Sequence, residues 1–186
     1  MSLPHALLTS LSEQPGSGSE LARRFDRSIG YFWQATHQQI YRELARLEAA
    51  GWIQALPADG GRGRQRRYQI LAAGHAALKQ WTEAPQAPSP IRDELMVRLR
   101  AEAVVGPTRL KTELVRLADM HRQKLAKYQA IEARDFTPSS ESPEKKLQHL
   151  VLKSGISYES HRLALCDEAL AILGSQDERI THPNRE

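Results

Sequence analysis

Arg62, Arg64, Arg66 and Arg67 fall within six residues with no acid among them, and Gly61 and Gly63 are interleaved with the first two. Guanidinium groups on a flexible glycine-rich loop suit contact with phosphate or insertion into a narrow minor groove of a duplex. The other reading is a charge run kept for solubility. A second polar set lies upstream, where Thr36, His37, Gln38 and Gln39 offer short and mid-length groups that can hydrogen-bond base edges. Glutamine in particular matches adenine through a bidentate pair. Tyr41 and Arg42 follow in the same stretch, and an ordinary solvated helix face is the competing reading.

Other reactive side chains point to no chemistry of their own. His121, His149 and His161 form no i,i+4 pair with an added carboxylate, so no metal is expected and they read as satisfied or partly exposed histidines. Cys166 is the only cysteine, which excludes an intrachain disulfide and a Cys-rich zinc site. It sits beside Leu165 and near Ala169 without an adjoining basic cluster, the setting of a buried structural thiol. No glycine-rich phosphate loop, nucleophile elbow or metal-ligand motif is present, so neither an enzyme nor a cofactor is expected.

The elements that must position these groups can be read from periodicity. Leu3, Ala6, Leu7, Leu8 and Leu11 make one apolar helical face, and 14–18 (QPGSG) reads as a stop and turn. Ser19 is a candidate cap for a short second helix through Phe25. A loop with the aromatic cluster Tyr31, Phe32 and Trp33, more often core than ligand cage, leads to Thr36, a good N-cap for a third helix. That helix carries Ile40, Leu44 and Leu47 on one face until Gly51 stops it, so Thr36, His37, Gln39, Glu43 and Arg46 cannot all face inward as well. The period then changes. Trp52, Ile53 and Leu56 read as one short strand and Tyr68, Ile70 and Leu71 as another, with 57–65 (PADGGRGRQ) as hairpin between them and the Tyr68 ring turned inward. Helical spacing resumes over 72–81. Helix, helix, helix, hairpin is the order of a winged helix-turn-helix, whose third helix lies in the major groove of DNA.

Three prolines within 84–90 (APQAPSP) end this first segment. The expected domains are a winged helix-turn-helix over 1–83, a helical dimerisation domain over 91–175 and a polar tail over 176–186. Within the second, 137–143 (TPSSESP) splits two long helical runs. Leu110, Leu114, Leu117, His121, Leu125 and Tyr128 form one seam at spacings of three and four; Leu147, Leu150, Val151, Tyr158, Leu165, Ala169 and Ile172 form another. Packing on each other covers part of these seams, and a symmetry mate is the economical cover for the rest. A self-contained helical subdomain is the alternative. Gly155, costly within a helix, is expected to mark a bend or a close crossing.

Length and charge agree with this plan. The 186 residues allow one domain or two small ones, and 26 Lys+Arg against 22 Asp+Glu leave a net charge of +4, which permits a polyanionic partner. Mean hydropathy is −0.54 and no apolar run reaches the length of a membrane span. The stretch 1–11 does not read as a signal peptide, so a cytoplasmic protein is expected. The fold class is therefore mainly α with a small β-hairpin wing.

The stretch 25–52 (FDRSIGYFWQATHQQIYRELARLEAAGW), followed by the arginine-rich hairpin ending in Tyr68, resembles the PadR family of bacterial transcriptional regulators. Residues 40–52 and the aromatic cluster before Thr36 carry the likeness; 91–175 resembles, more loosely, the C-terminal region of the subgroup that includes virulence-gene activators. One departure is Gln34, where relatives often have proline. The resemblance implies a homodimer on an inverted-repeat site in double-stranded DNA, most often a repressor, released in some members by a phenolic acid or other small effector. It places Tyr41 near the DNA backbone and Thr36, Gln38 and Gln39 toward the groove. A protein–protein module, or a co-activator without a small-molecule ligand, is the alternative.

Overall fold

The apolar row of the first segment folds as expected into α1 (Leu3–Glu13), with Leu7, Leu8 and Leu11 fully inside. The computed structural model describes residues 3–27, 35–57, 66–87, 90, 92–136 and 142–181, with side chains as far as Gly174. Carbonyls in the last turn of α1 and just after it are met by Arg24, whose guanidinium donates to Ser10, Gln14 and Pro15. The turn expected over 14–18 is only partly a turn. Gly16 and Ser17 form a two-residue strand, β1, and α2 (Gly18–Arg27) starts directly after it. Ser17, not Ser19, closes that helix start: its Oγ accepts from the Glu20 N–H at 3.2 Å, and its own N–H donates to the Glu20 carboxylate at 2.7 Å. This is a reciprocal capping box, and its Ser-x-x-Glu spacing was there to be read.

Thr36 does cap α3 (His37–Ala49), and Gly51 ends it at φ 69°. Ile40, Leu44 and Leu47 turn inward against Leu21, Ala22 and Phe25 of α2 and the α1 leucines. Removing each such side chain from water contributes about 1.5–3 kcal/mol, so this face decides how α3 sits. β2 (Ile53–Ala55) and β3 (Arg67–Ile70) pair antiparallel with Ala55 opposite Tyr68, and β1 adds to the other edge of β3, in the order β1-β3-β2. Tyr68 is buried, as alternation required. In α4 (Ala72–Glu83) a Cβ at Gly74 would lie 2.3 Å from the Trp52 carbonyl oxygen, so glycine permits the close approach of helix to strand. The aromatic cluster 31–33, Gln34, Gly60, Gly61, Gly63, Arg62 and Arg64 lie outside the described residues.

The chain divides into two units, 1–88 and 89–186. Among the described residues the second holds three helices rather than two: α5 (Glu94–Val105), α6 (Leu110–Asp135) and α7 (Pro143–Thr181). The first expected run is broken at Gly106–Pro107, where Gly106 takes φ 85° and Pro107 cannot continue the helix. Glu102 fixes this elbow by accepting from the Thr108 N–H at 2.8 Å and from its hydroxyl, while Thr108 Oγ1 accepts from the Leu110 N–H. Asp93 caps α5 at Leu95 and holds Arg162 of α7. α7 also continues as helix through Thr181, into the stretch expected as a polar tail.

α6 and α7 pack along their length around Leu110, Leu114, Ala118, Cys166 and Ala169. Gly155 marks the close crossing, with Tyr128 carbon atoms 3.4–3.5 Å from where a Cβ would stand. Between these layers His121 Nδ1 and Glu159 Oε2 lie 2.5 Å apart, at 4% and 3% exposure, with Lys124 Nζ 3.8 Å from the second carboxylate oxygen. His149 bonds Glu132 at 2.7 Å and stacks on Phe136, whereas His161 is exposed. Burial pushes the Cys166 thiol up, away from the reactive thiolate.

Candidate nucleic-acid interface

Thr36, His37, Gln38 and Gln39 are all solvent-exposed at the start of α3, with Tyr41 and Arg42 exposed on the next turn. Two of them are turned to each other. Thr36 Oγ1 accepts from the Gln39 N–H at 3.2 Å, and Gln39 Oε1 accepts from the Thr36 N–H at 2.8 Å. Sequence reasoning placed Gln39 toward the groove and missed this capping box, although Thr-x-x-Gln is its signature. A bidentate pair with adenine needs the amide oxygen as well as the amide nitrogen. Gln39 has committed its oxygen to the helix start, which leaves Gln38 as the better placed reader.

The arginines are also unequal. Arg66 pairs with Glu48 of α3 at 2.7 Å, and its guanidinium lies 5.6 Å from the Tyr68 ring centre. Arg67 donates to the Pro15 carbonyl at 3.2 Å and stands 3.7 Å from Glu20. Both therefore tie the base of the hairpin to neighbouring elements, through acids too distant in sequence for a local reading to find. The Ser17 N–H holds the Glu20 carboxylate below its ordinary range, and Arg67 and Arg24 add to the effect. Arg42 keeps an exposed position on α3, and Arg46 lies 3.8 Å from Glu43.

Residues 7–80 match the PadR-like transcriptional regulator family, and residues 91–174 match the virulence activator alpha C-terminal family. Rv1176c of Mycobacterium tuberculosis, described as a probable transcriptional regulator, is 40% identical over 185 residues that cover 93% of this chain and 98% of that protein. The chain belongs to the PadR-like family of transcriptional regulators. This PadR-like protein is a DNA-binding winged-helix transcriptional regulator, and its family is not one of enzymes. The virulence activator AphA of Vibrio cholerae superposes with a TM-score of 0.78 at 33% identity, covering 94% of this chain and 99% of AphA. The negative transcriptional regulator PadR of Bacillus subtilis is 26% identical over 92% of this chain and 97% of its own length. Its structure in complex with operator DNA shares the fold with a TM-score of 0.76, over 92% of this chain and 99% of that one, at 24% identity.

The structure divides the residues expected to join two PadR-like subunits into two groups. Leu110 and Leu114 are buried within the chain itself, and Leu117, Leu125 and Leu165 are half-buried. The seam of α6 is thus covered by α5 and α7 of the same chain. Leu147, Leu150, Val151 and Tyr158 form an exposed row on α7, on a different face from the buried Leu152 and Glu159, and Ile172, also exposed, lies farther along in a groove shared with Leu165 and Ala169. Among the described residues no helix is long and apolar enough to cross a membrane.

Proposed function

We propose that this regulator is a cytoplasmic homodimer that represses transcription by occupying an inverted-repeat operator. In this reading α3 enters the major groove through Thr36, His37, Gln38, Gln39, Tyr41 and Arg42, and the hairpin lays Arg62, Arg64, Arg66 and Arg67 on the backbone or in the minor groove. The observation that carries the dimer is the outer row of α7, where Leu147, Leu150 and Tyr158 are 65%, 62% and 58% exposed. Apolar rows of this length on one face mark an association site, and a two-fold copy covers both rows at once. Repression asks nothing more of the chain than operator occupancy. A small phenolic effector completes the reading, and p-coumaric acid, bound in one structure of Bacillus subtilis PadR, is the first compound to add to a binding assay.

In light scattering the full chain should run at twice 21.0 kDa. L150E/Y158E should run as a monomer with its helix content intact, because both positions are exposed, and should lose tight operator binding. A monomeric wild-type chain at micromolar concentration would contradict the dimer.

Base reading is tested separately. Gln38→Ala should relax preference at one base pair in each half-site, costing about 1–3 kcal/mol on the preferred base. Gln39→Glu, which preserves the acceptor of the capping box, should leave that preference in place. Footprints should be two-fold symmetric with half-sites about one helical turn apart. A chain that shifted no duplex at low salt would favour the protein–protein reading instead.

A further inference from the structure

We propose that Gly18 is the positioning residue that sets Tyr41 against the DNA backbone. The inference rests on the proposed duplex complex and on Tyr41 meeting phosphate within it. Tyr41 is 48% exposed, yet its ring is not loose on the surface. It lies across the first turn of α2, where a Cβ on Gly18 would stand 2.2 Å from Cε1, 2.8 Å from Cδ1 and 3.0 Å from Cζ. Non-bonded carbon atoms settle at about 3.5–4.0 Å, so any side chain at position 18 would displace the ring.

Backbone conformation does not explain a glycine there. The described glycines with positive φ are Gly51 and Gly106, and Gly18 opens a helix, where it is a poorer former than alanine. What the missing side chain provides is clearance for Tyr41. Cζ carries the phenol oxygen, so the hydroxyl end of Tyr41 is held beside the N-terminal turn of α2, whose dipole favours an anion. Glu20, the carboxylate of that turn, is engaged by the Ser17 N–H and stands close to Arg67. The β1–β3 pairing and the Ser17–Glu20 box fix this turn, and the packing of α2 on α3 fixes the distance across it.

The test is a double-mutant cycle on the full chain, read by fluorescence anisotropy on operator and random duplexes, with thermal melts of each variant. Y41F and G18A should each weaken both duplexes by about tenfold or more, the loss expected for a hydrogen bond to a charged group. G18A added to Y41A should cost less than about twofold further, since the ring it displaces is already gone. In the melts Y41A should restore stability lost in G18A. The proposal is overturned if the two losses multiply, if G18A binds as tightly as wild type, or if Y41A gives no relief in the melts. Wild-type binding with Y41F unaffected would overturn this placement alone, whereas a wild-type chain that bound no duplex would overturn the proposed function with it.

Discussion

Replacing Arg62 and Arg64 together with alanine is expected to flatten the salt dependence of DNA binding by about 3–4 logarithmic units. Two phosphate contacts per subunit make four in a dimer, and each carries roughly 0.9 of the slope through counterion release. Affinity should fall for operator and random DNA alike, because phosphate contacts carry little sequence information. Arg66 and Arg67 should behave differently, since Glu48, Glu20 and the Pro15 carbonyl already hold them. R66A/R67A should change the slope less and lower stability modestly, each exposed pair contributing no more than about 1 kcal/mol. Loss of a preference for A·T-rich flanks would place one guanidinium in the minor groove. Anisotropy across a salt series, with circular dichroism as folding control, decides the matter. An unchanged slope in R62A/R64A would remove the hairpin from the electrostatic footprint.

The buried pair between α6 and α7 should give the largest stability effect in the chain. His121→Leu leaves the Glu159 carboxylate at 3% exposure, with Lys124 at 3.8 Å as its remaining ion-pair partner among the described residues. Stranding a buried charge in this way costs about 3–5 kcal/mol. Glu159→Gln keeps a hydrogen-bonding group opposite the imidazole and should cost far less. H121L/E159L, with both polar partners gone, should recover most of the loss, since replacing a whole buried pair by apolar groups is often close to neutral. Urea unfolding of H121L, E159L and H121L/E159L measures the coupling, with E159Q as the conservative control. If H121L/E159L were as unstable as the sum of the single losses, the pair would not be acting as a unit.

Much of the fold was legible because periodicity reports which face of an element is apolar. The inward rows of α1 and α3, the Thr36 cap, the Gly51 stop and the burial of Tyr68 all follow from local pattern. The strand at Gly16–Ser17 did not, since two residues are too few to show a period and their partner is β3, far along the chain. The break at Gly106–Pro107 was a local signal overridden by the leucine-rich run around it. At the interface, residue types were readable but their commitments only in part. Nothing near Arg66 in sequence announces Glu48, whereas the hold of Gln39 on the Thr36 N–H follows from the Thr-x-x-Gln spacing. The seams of the second unit show the same limit. Spacing finds an apolar row, while only the arrangement of α5, α6 and α7 decides whether the chain covers that row itself.

The strand order β1-β3-β2 also bears on how copies of this protein avoid one another. β3 lies in the middle of the sheet, and the edges on either side of it are the two residues of β1 and the three of β2. Unpaired strand edges are templates for pairing with another chain, and the hazard grows with their length and flatness. Edges this short offer too few adjacent N–H and C=O groups to propagate a ladder from molecule to molecule. The brevity of its edges makes the sheet a poor template for self-assembly, and in the proposed dimer the contact between copies falls to a helical face, where side-chain shape rather than backbone repetition selects the mate.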